Sequence, residues 1–108
     1  MTQRRRATGP SSEQTVTEGD VVVDLAAREV EVGDAPVALT AKEFELLEVL
    51  VTRPGAAVSR QQLMDAVWGD AYVAISRTLD VHMTGLRAKL GRPGLISTIR
   101  GYGYRWGT

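Results

Sequence analysis

The apolar residues of the segment ISRTLDVHMTGLRAKLG, which spans residues 75–91, recur with the period of an α-helix. At about 100° per residue they fall within roughly 40° of a common line and form one apolar stripe. The stripe consists of Ile75, Leu79, Met83, Leu86 and Leu90. We predict that a helix over residues 76–90 packs this stripe into the core.

The opposite face of the predicted helix is small in its middle and basic at its edges. It carries Arg77, Val81, Thr84 and Ala88, with Asp80 and Gly85 beside them and Thr78, Arg87 and Lys89 on the shoulders. A face that only meets water would more often hold Glu, Lys and Gln, because these residues favour the helix and keep it soluble. The pattern therefore indicates that a second molecule with negative charge approaches this face closely.

Short β-rich runs precede this helix. They are TVTE, VVVDL, REVEV and PVAL within residues 15–39, and Gly33-Asp34 is typical of a hairpin turn. We predict an antiparallel sheet of three or four strands. Residues 1–14 have no periodic apolar pattern and are predicted to be a disordered tail or an interdomain linker.

Two capping boxes predict two further helices. Thr40 with Glu43 begins one helix, and Ser59 with Gln62 begins a shorter one. The C-terminal segment LISTIRGYGYRWGT predicts a β-hairpin whose turn contains two glycines, Gly101 and Gly103, that tolerate positive φ. We therefore predict an α+β fold for residues 15–108: a winged helix-turn-helix with an N-terminal antiparallel sheet, three helices and a C-terminal β-hairpin wing.

The charges are separated along the chain, although the formal net charge of the 108 residues is zero. Residues 13–70 hold four bases against twelve acids, whereas residues 71–108 hold six bases against one acid. Such an asymmetry is expected of a domain that presents one surface to phosphates, while uneven charge alone is also common in domains that bind nothing.

Composition excludes several other classes of function. The chain has no cysteine and one histidine, which removes thiolate chemistry and supplies hardly any partners for a metal site or a catalytic dyad. No apolar run approaches the roughly 18 residues that a membrane span requires. We expect a cytoplasmic protein that is not an enzyme and that has no membrane segment, cofactor or metal.

Three segments of the chain resemble the effector domain of OmpR/PhoB-type response regulators, which are bacterial transcription factors. The segments are LTAKEFELLEVLVTRPGAAVSRQQLMDAVWG, RTLDVHMTGLRAKL and ISTIRGYGYRW, and with the preceding sheet they cover about residues 15–107. The resemblance implies that the helix over residues 76–90 lies in the major groove of double-stranded DNA. It also implies that the wing, residues 95–106, reaches the adjacent minor groove.

The resemblance assigns roles to single residues. It implies phosphate or groove-edge contacts for Arg77, Thr78, His82 and Arg87, base-edge contacts for Val81, Thr84 and Gly85, and wing contacts for Thr98 and Arg100. The basic shoulder of the helix adds Lys89 as a phosphate contact. The helical projection agrees with the assigned roles except that of His82, which lies at the margin of the apolar stripe.

The chain departs from the family pattern in two places. Several family members have Arg where this chain has Thr84 and Gly85, so the bidentate contact of Arg to guanine has no donor there. Readout is then expected to rest on Val81 against a thymine methyl, on Arg77 and on groove shape. The second departure is the loop over residues 69–75, which can contact RNA polymerase in the family and is more apolar here.

The resemblance also implies further partners. These are a second copy of the domain in tandem on DNA repeats and an N-terminal receiver domain, which is phosphorylated by a histidine kinase. No receiver domain precedes residue 15 of this sequence, so we expect either the effector part of a longer regulator or a stand-alone regulator. The alternative interpretation is a winged-helix protein-interaction module that does not bind DNA, and the zero net charge favours it.

Overall fold

The computed structural model describes residues 14–69 and 76–107, without the side chains of residues 76–78. Within these ranges the chain forms seven strands and three helices. They are β1 (Thr15–Glu18), β2 (Val21–Asp24), β3 (Glu29–Val32), β4 (Ala35–Val37), α1 (Ala41–Val51), β5 (Ala57–Ser59), α2 (Arg60–Trp68), α3 (Ser76–Leu90), β6 (Ile96–Ile99) and β7 (Gly103–Trp106). This order confirms the predicted winged helix-turn-helix. The predictions for the N-terminal tail and for most of the loop over residues 69–75 lie outside the described residues.

The chain divides into two compact units, and the boundary lies between Ala38 and Leu39. The first unit contains an antiparallel meander of the strands β1-β2-β3-β4. Val23 pairs with Val30 in its centre, and both side chains are buried. The predicted turn between β3 and β4 is confirmed, since Gly33 and Asp34 both have positive φ, as a two-residue hairpin loop of type I′ requires.

Both predicted capping boxes are present in the second unit. The Thr40 hydroxyl accepts a hydrogen bond from the Glu43 amide, and the Glu43 carboxylate accepts one from the Thr40 amide at 3.0 Å. Ser59 and Gln62 repeat this exchange at the start of α2. These bonds satisfy backbone N–H groups that the first turn of a helix leaves without partners, so the sequence fixes where α1 and α2 begin.

The core of the second unit forms around the apolar stripe of α3. Leu79, Met83, Leu86 and Leu90 are all buried, as the helical period predicts. Helix α1 contacts both α3 and β7, and its Leu46, Leu47 and Leu50 are fully buried, as is Trp106 of β7. Truncation of one such leucine to alanine costs about 2–5 kcal/mol in typical cores, so this packing firmly sets the rotation of α3.

The C-terminal hairpin belongs to a three-stranded sheet in the order β5-β7-β6. Strand β5 was not among the predicted elements, because three residues between two helices carry no periodic signal. Its pairing also corrects the role of one glycine. Gly101 has a φ of +71°, as expected for the turn, but a Cβ on Gly103 would lie 1.9 Å from the Val58 carbonyl oxygen. Gly103 therefore serves the close approach of β7 to β5 rather than the turn.

Among residues 14–69 and 76–107, no helix has both the length and the apolar character that crossing a membrane needs.

We predict that Gly103→Ala lowers the free energy of unfolding by about 3 kcal/mol, because the new methyl group collides with backbone that cannot move without breaking the β5-β7 pairing. Gly101→Ala is the matched control, since a Cβ there meets nothing within 4 Å and costs only the strained φ, about 1–2 kcal/mol. Urea denaturation of both variants measures the difference. Equal losses of stability at the two positions would contradict the close-approach argument.

Candidate nucleic-acid interface

The outer face of α3 is open to solvent in the described part of the helix. Val81, Thr84 and Ala88 lie on it at helical spacing and are exposed, Val81 by 64%. A valine this exposed on a regular helix presents rigid methyl groups to solvent. The side chains of Arg77 and Thr78, which the sequence assigns to the N-terminal end of this face, lie outside the described residues.

The wing stands beside α3 and carries exposed side chains of its own. Thr98 lies on β6, and Arg100 lies in the turn that the Tyr102 amide closes by donating to the Ile99 carbonyl at 2.8 Å. Tyr102 is 48% exposed, and with Val81 it is one of two large hydrophobic side chains exposed within the described ranges. The turn of the wing thus presents a cation and an aromatic ring to solvent.

Arg87 links α3 directly to the wing. Its guanidinium donates to the Ile96 carbonyl at 3.1 Å and to the Thr98 hydroxyl at 2.9 Å, and it lies 5.5 Å from the centre of the Tyr104 ring. The sequence analysis expects Arg87 to contact a phosphate. Because a guanidinium has five N–H groups, those that do not bond the wing can still donate to a phosphate.

Asp80 lies on the same flank of α3, two turns before Arg87. Its carboxylate accepts hydrogen bonds from the Arg60 guanidinium at 2.5 Å and from the Tyr104 hydroxyl at 3.0 Å. The bond from Arg60 holds the pKa of Asp80 below its ordinary value, although burial opposes it. Burial and the bond to Asp80 raise the pKa of Tyr104, so this hydroxyl keeps its proton and donates it.

The opposite flank of α3 faces α1, and two of the predicted contact residues lie on it beside Glu43. Lys89 donates to the Glu43 carboxylate at 2.7 Å, and a Cβ on Gly85 would lie 2.6 Å from the other oxygen of that carboxylate. Glu43 is only 5% exposed, so it needs a cation beside it and space for its oxygens. A side chain at position 85 would therefore meet Glu43, and Lys89 already pairs with this carboxylate. The base-edge contact of Gly85 and the phosphate contact of Lys89 stay predictions.

His82 lies on this α1 flank too, next to the end of α2. Its ring centre is 5.5 Å from that of Trp68, and the Lys42 ammonium lies 5.8 Å from the Trp68 ring. The side chain is partly exposed, which agrees with its position at the margin of the stripe. The phosphate contact implied for His82 stays a prediction. No group of three or more His, Cys, Asp or Glu that could hold a metal occurs within the described residues.

Sequence reasoning did not identify the polar partners that fix α3. Arg60 and Tyr104 lie 20 and 24 residues from Asp80, and Glu43 lies 46 residues from Lys89. The capping box gave the only signal for Glu43, and it indicated a local role in α1. Contacts over such separations follow from the packing of the elements, so neither periodicity nor spacing reveals them.

Glu43 makes the stability of this region depend on pH. Burial raises the pKa of its carboxyl, but the bonds from Lys89 and the Thr40 amide, with the Lys89 charge, outweigh burial and hold the pKa below its ordinary 4.5. A carboxyl with a lowered pKa in the folded state stabilises the fold above its unfolded-state pKa. That contribution is lost as the pH falls through the folded-state pKa.

We predict that Glu43→Gln lowers the free energy of unfolding at pH 7 by about 1–2 kcal/mol, because it removes the charge-assisted bond to Lys89. The deficit shrinks as the pH falls below about 4.5, since the carboxyl of the unfolded wild-type chain then takes up a proton, and it vanishes below the lowered folded-state pKa. Urea denaturation at pH 7, 5 and 3.5 measures both effects. Glu45→Gln is the control: its pair with Lys42 is partly exposed and 3.6 Å long, so it changes stability by a few tenths of a kcal/mol. A pH-independent deficit at Glu43 would count against the ion pair.

The family model described as "Transcriptional regulatory protein, C terminal" matches residues 34–106. The transcriptional regulatory protein PrrA of Mycobacterium tuberculosis is 40% identical over 107 residues, which are 96% of this chain and 46% of PrrA. The chain thus spans about half the length of this curated relative. The fold of this chain is also similar to that of a solved structure, the DNA-binding domain of RstA from Klebsiella pneumoniae in complex with the RstA box.

The RstA domain has a TM-score of 0.77 and 32% identity, and the match covers 87% of this chain and 97% of RstA. A second solved structure is the response regulator DrrB of Thermotoga maritima, described as an OmpR/PhoB homologue. Its TM-score is 0.78 at 28% identity, with 88% of this chain and 45% of DrrB covered. These matches agree with the resemblance that the three sequence segments carry.

Proposed function

Because this chain belongs to the family of C-terminal domains of transcriptional regulatory proteins, we propose that it binds double-stranded DNA and regulates transcription. The single observation that carries the proposal is the exposed outer face of α3 beside a wing with an exposed arginine at its turn. The complex of the similar RstA domain with the RstA box supports it, since the match covers 97% of that domain.

In the proposed complex, α3 lies in the major groove with its outer face towards the bases. Val81 contacts a thymine methyl, and the Thr84 hydroxyl bonds a base edge or a phosphate. The contacts of Arg77 and Thr78 with DNA, at the start of the helix, follow from the family resemblance. Gly85 lies beside Glu43 and has no side chain that could bond a base. Direct readout then rests on Val81, Thr84 and Arg77, and groove shape contributes further.

The wing supplies the second contact of the proposed complex. Arg100 enters the adjacent minor groove, where narrow A·T-rich segments have a stronger negative potential that attracts arginine. Thr98 and the remaining N–H groups of Arg87 bond phosphates at the edge of the groove. Lys89 contributes less than the sequence analysis expects, because the ion pair with Glu43 already holds its ammonium.

A second copy of the domain on DNA and two further partners complete the proposal. One domain inserts one helix, and a single helix usually binds weakly until a second copy occupies a neighbouring half-site. We therefore include tandem pairing on repeated half-sites. A contact between residues 69–75 and RNA polymerase and control by a phosphorylated receiver domain rest on the family resemblance alone.

Titration of a random-sequence duplex between 50 and 200 mM salt tests the proposed function. Neutralisation of about three to four phosphates gives a plot of log K against log salt with a slope of about −3 to −4. Arg100→Ala reduces the slope by about 1. Arg53→Ala, which removes an exposed charge beyond the end of α1, leaves the slope unchanged. A protein-interaction module shows no salt-sensitive binding to DNA, and that result would reject the proposal.

Removal of a single methyl group from the DNA tests the contact of Val81. After selection of a preferred site from random DNA, replacement of the contacted thymine by uracil weakens binding of the wild-type domain about fourfold, as expected for about 0.8 kcal/mol per buried methyl. In Val81→Ala the same replacement has no effect, because the partner of the methyl is gone. Thymines elsewhere in the duplex are the control. If uracil has equal effects in both proteins, Val81 does not read the methyl.

A further inference from the structure

Asp80 is the one acidic residue of the basic stretch over residues 71–108, and it lies on the helix proposed to enter the major groove. Its side chain is 51% exposed. A carboxylate near DNA phosphates is repelled by them, so this side chain by itself disfavours the binding of DNA. Another contribution of Asp80 must offset that cost. The contacts of Asp80 indicate what that contribution is.

Asp80 joins three elements of the second unit. It accepts hydrogen bonds from Arg60, the first residue of α2, and from Tyr104, in the inner strand β7 of the C-terminal sheet. The Arg60 amide donates in turn to the Tyr102 carbonyl at 3.0 Å, close to the turn of the wing. Helix α3, the start of α2 and the wing are therefore connected through one carboxylate and one arginine.

Arg87 makes a second connection further along α3. It lies seven residues after Asp80, so two turns place it on the same flank of the helix. Its bonds reach the Ile96 carbonyl and the Thr98 hydroxyl of β6, while its guanidinium stacks near the Tyr104 ring. Both strands of the hairpin are thus attached to α3, at two points that lie two helical turns apart.

We infer that Asp80 is a positioning residue, which fixes the wing relative to α3 through Tyr104 so that both elements meet DNA in one prearranged geometry. This inference rests on the proposed function. An element that is fixed before binding loses little conformational entropy when it binds, whereas a loosely held wing must be ordered at the expense of affinity. The stabilised wing offsets the electrostatic repulsion of the carboxylate.

The sign of the effect of Asp80→Asn separates this inference from a mere electrostatic role. If Asp80 only repels phosphates, its neutralisation raises the affinity for DNA. If Asp80 positions the wing, the weakened bonds from Arg60 and Tyr104 lower the affinity about three- to tenfold despite the gain in charge. The probe is the duplex selected from random DNA with the wild-type chain, titrated at constant salt well below the melting temperature of each variant.

Tyr104→Phe provides a second variant that keeps the buried ring and removes only the hydroxyl. It lowers the affinity for DNA about threefold. It also reduces the effect of Arg100→Ala on that affinity, because Arg100 on a loosened wing contributes less binding energy through its contact with DNA. A role in stability alone lowers the melting temperature but leaves the effect of Arg100→Ala unchanged. This double-mutant comparison therefore measures positioning rather than folding.

Asp65→Asn and Ser97→Ala are the matched controls. Asp65 is an exposed acid of α2 that accepts a hydrogen bond from the Gln61 side chain. Ser97 is the neighbour of Thr98 in β6, and its side chain points to the opposite face of the strand. Neither variant lowers the affinity. Higher affinity for Asp80→Asn, or additive effects of Tyr104→Phe and Arg100→Ala, overturns the inference while DNA binding itself persists. Absence of DNA binding by the wild-type chain overturns the proposed function and this inference with it.

Discussion

The burial of the α3 stripe is the interaction on which the rest of this structure depends. Leu79, Met83, Leu86 and Leu90 are buried where α3 packs against α1 and α2, and this packing fixes the rotation of α3 about its axis. The rotation decides which residues face outward and which lie on either flank. The exposure of Val81 and Thr84 is a consequence of this apolar contact rather than a separate feature.

The two flanks of α3 carry different polar clusters. On one flank Lys89 neutralises the buried Glu43, and Gly85 leaves room for its carboxylate. On the other, Asp80 and Arg87 attach α3 to the hairpin. Charged side chains near the proposed interface thus have structural partners, and a count of bases along the helix overstates the charge that is free for phosphates.

Local neutralisation also explains how a chain of zero net charge fits the proposed binding of DNA. Six of the acids lie within residues 14–38, and Arg28 is the one basic residue of that range. Asp80, the single acid of the C-terminal stretch, is held by Arg60. Arg100 lies exposed at the turn of the wing, so a positive potential at the proposed interface is compatible with overall neutrality.

The sequence by itself determined the elements whose causes are local. The period of residues 75–91 predicted α3 and its buried stripe, the two capping boxes predicted the starts of α1 and α2, and Gly33-Asp34 predicted a hairpin turn; all of these are confirmed. Tertiary structure alone decided the strand β5, the role of Gly103, and the partners of Asp80 and Lys89. The physical reason is that helical period and capping act within a few residues, whereas these contacts join groups 20 to 48 residues apart that meet only after the core has packed.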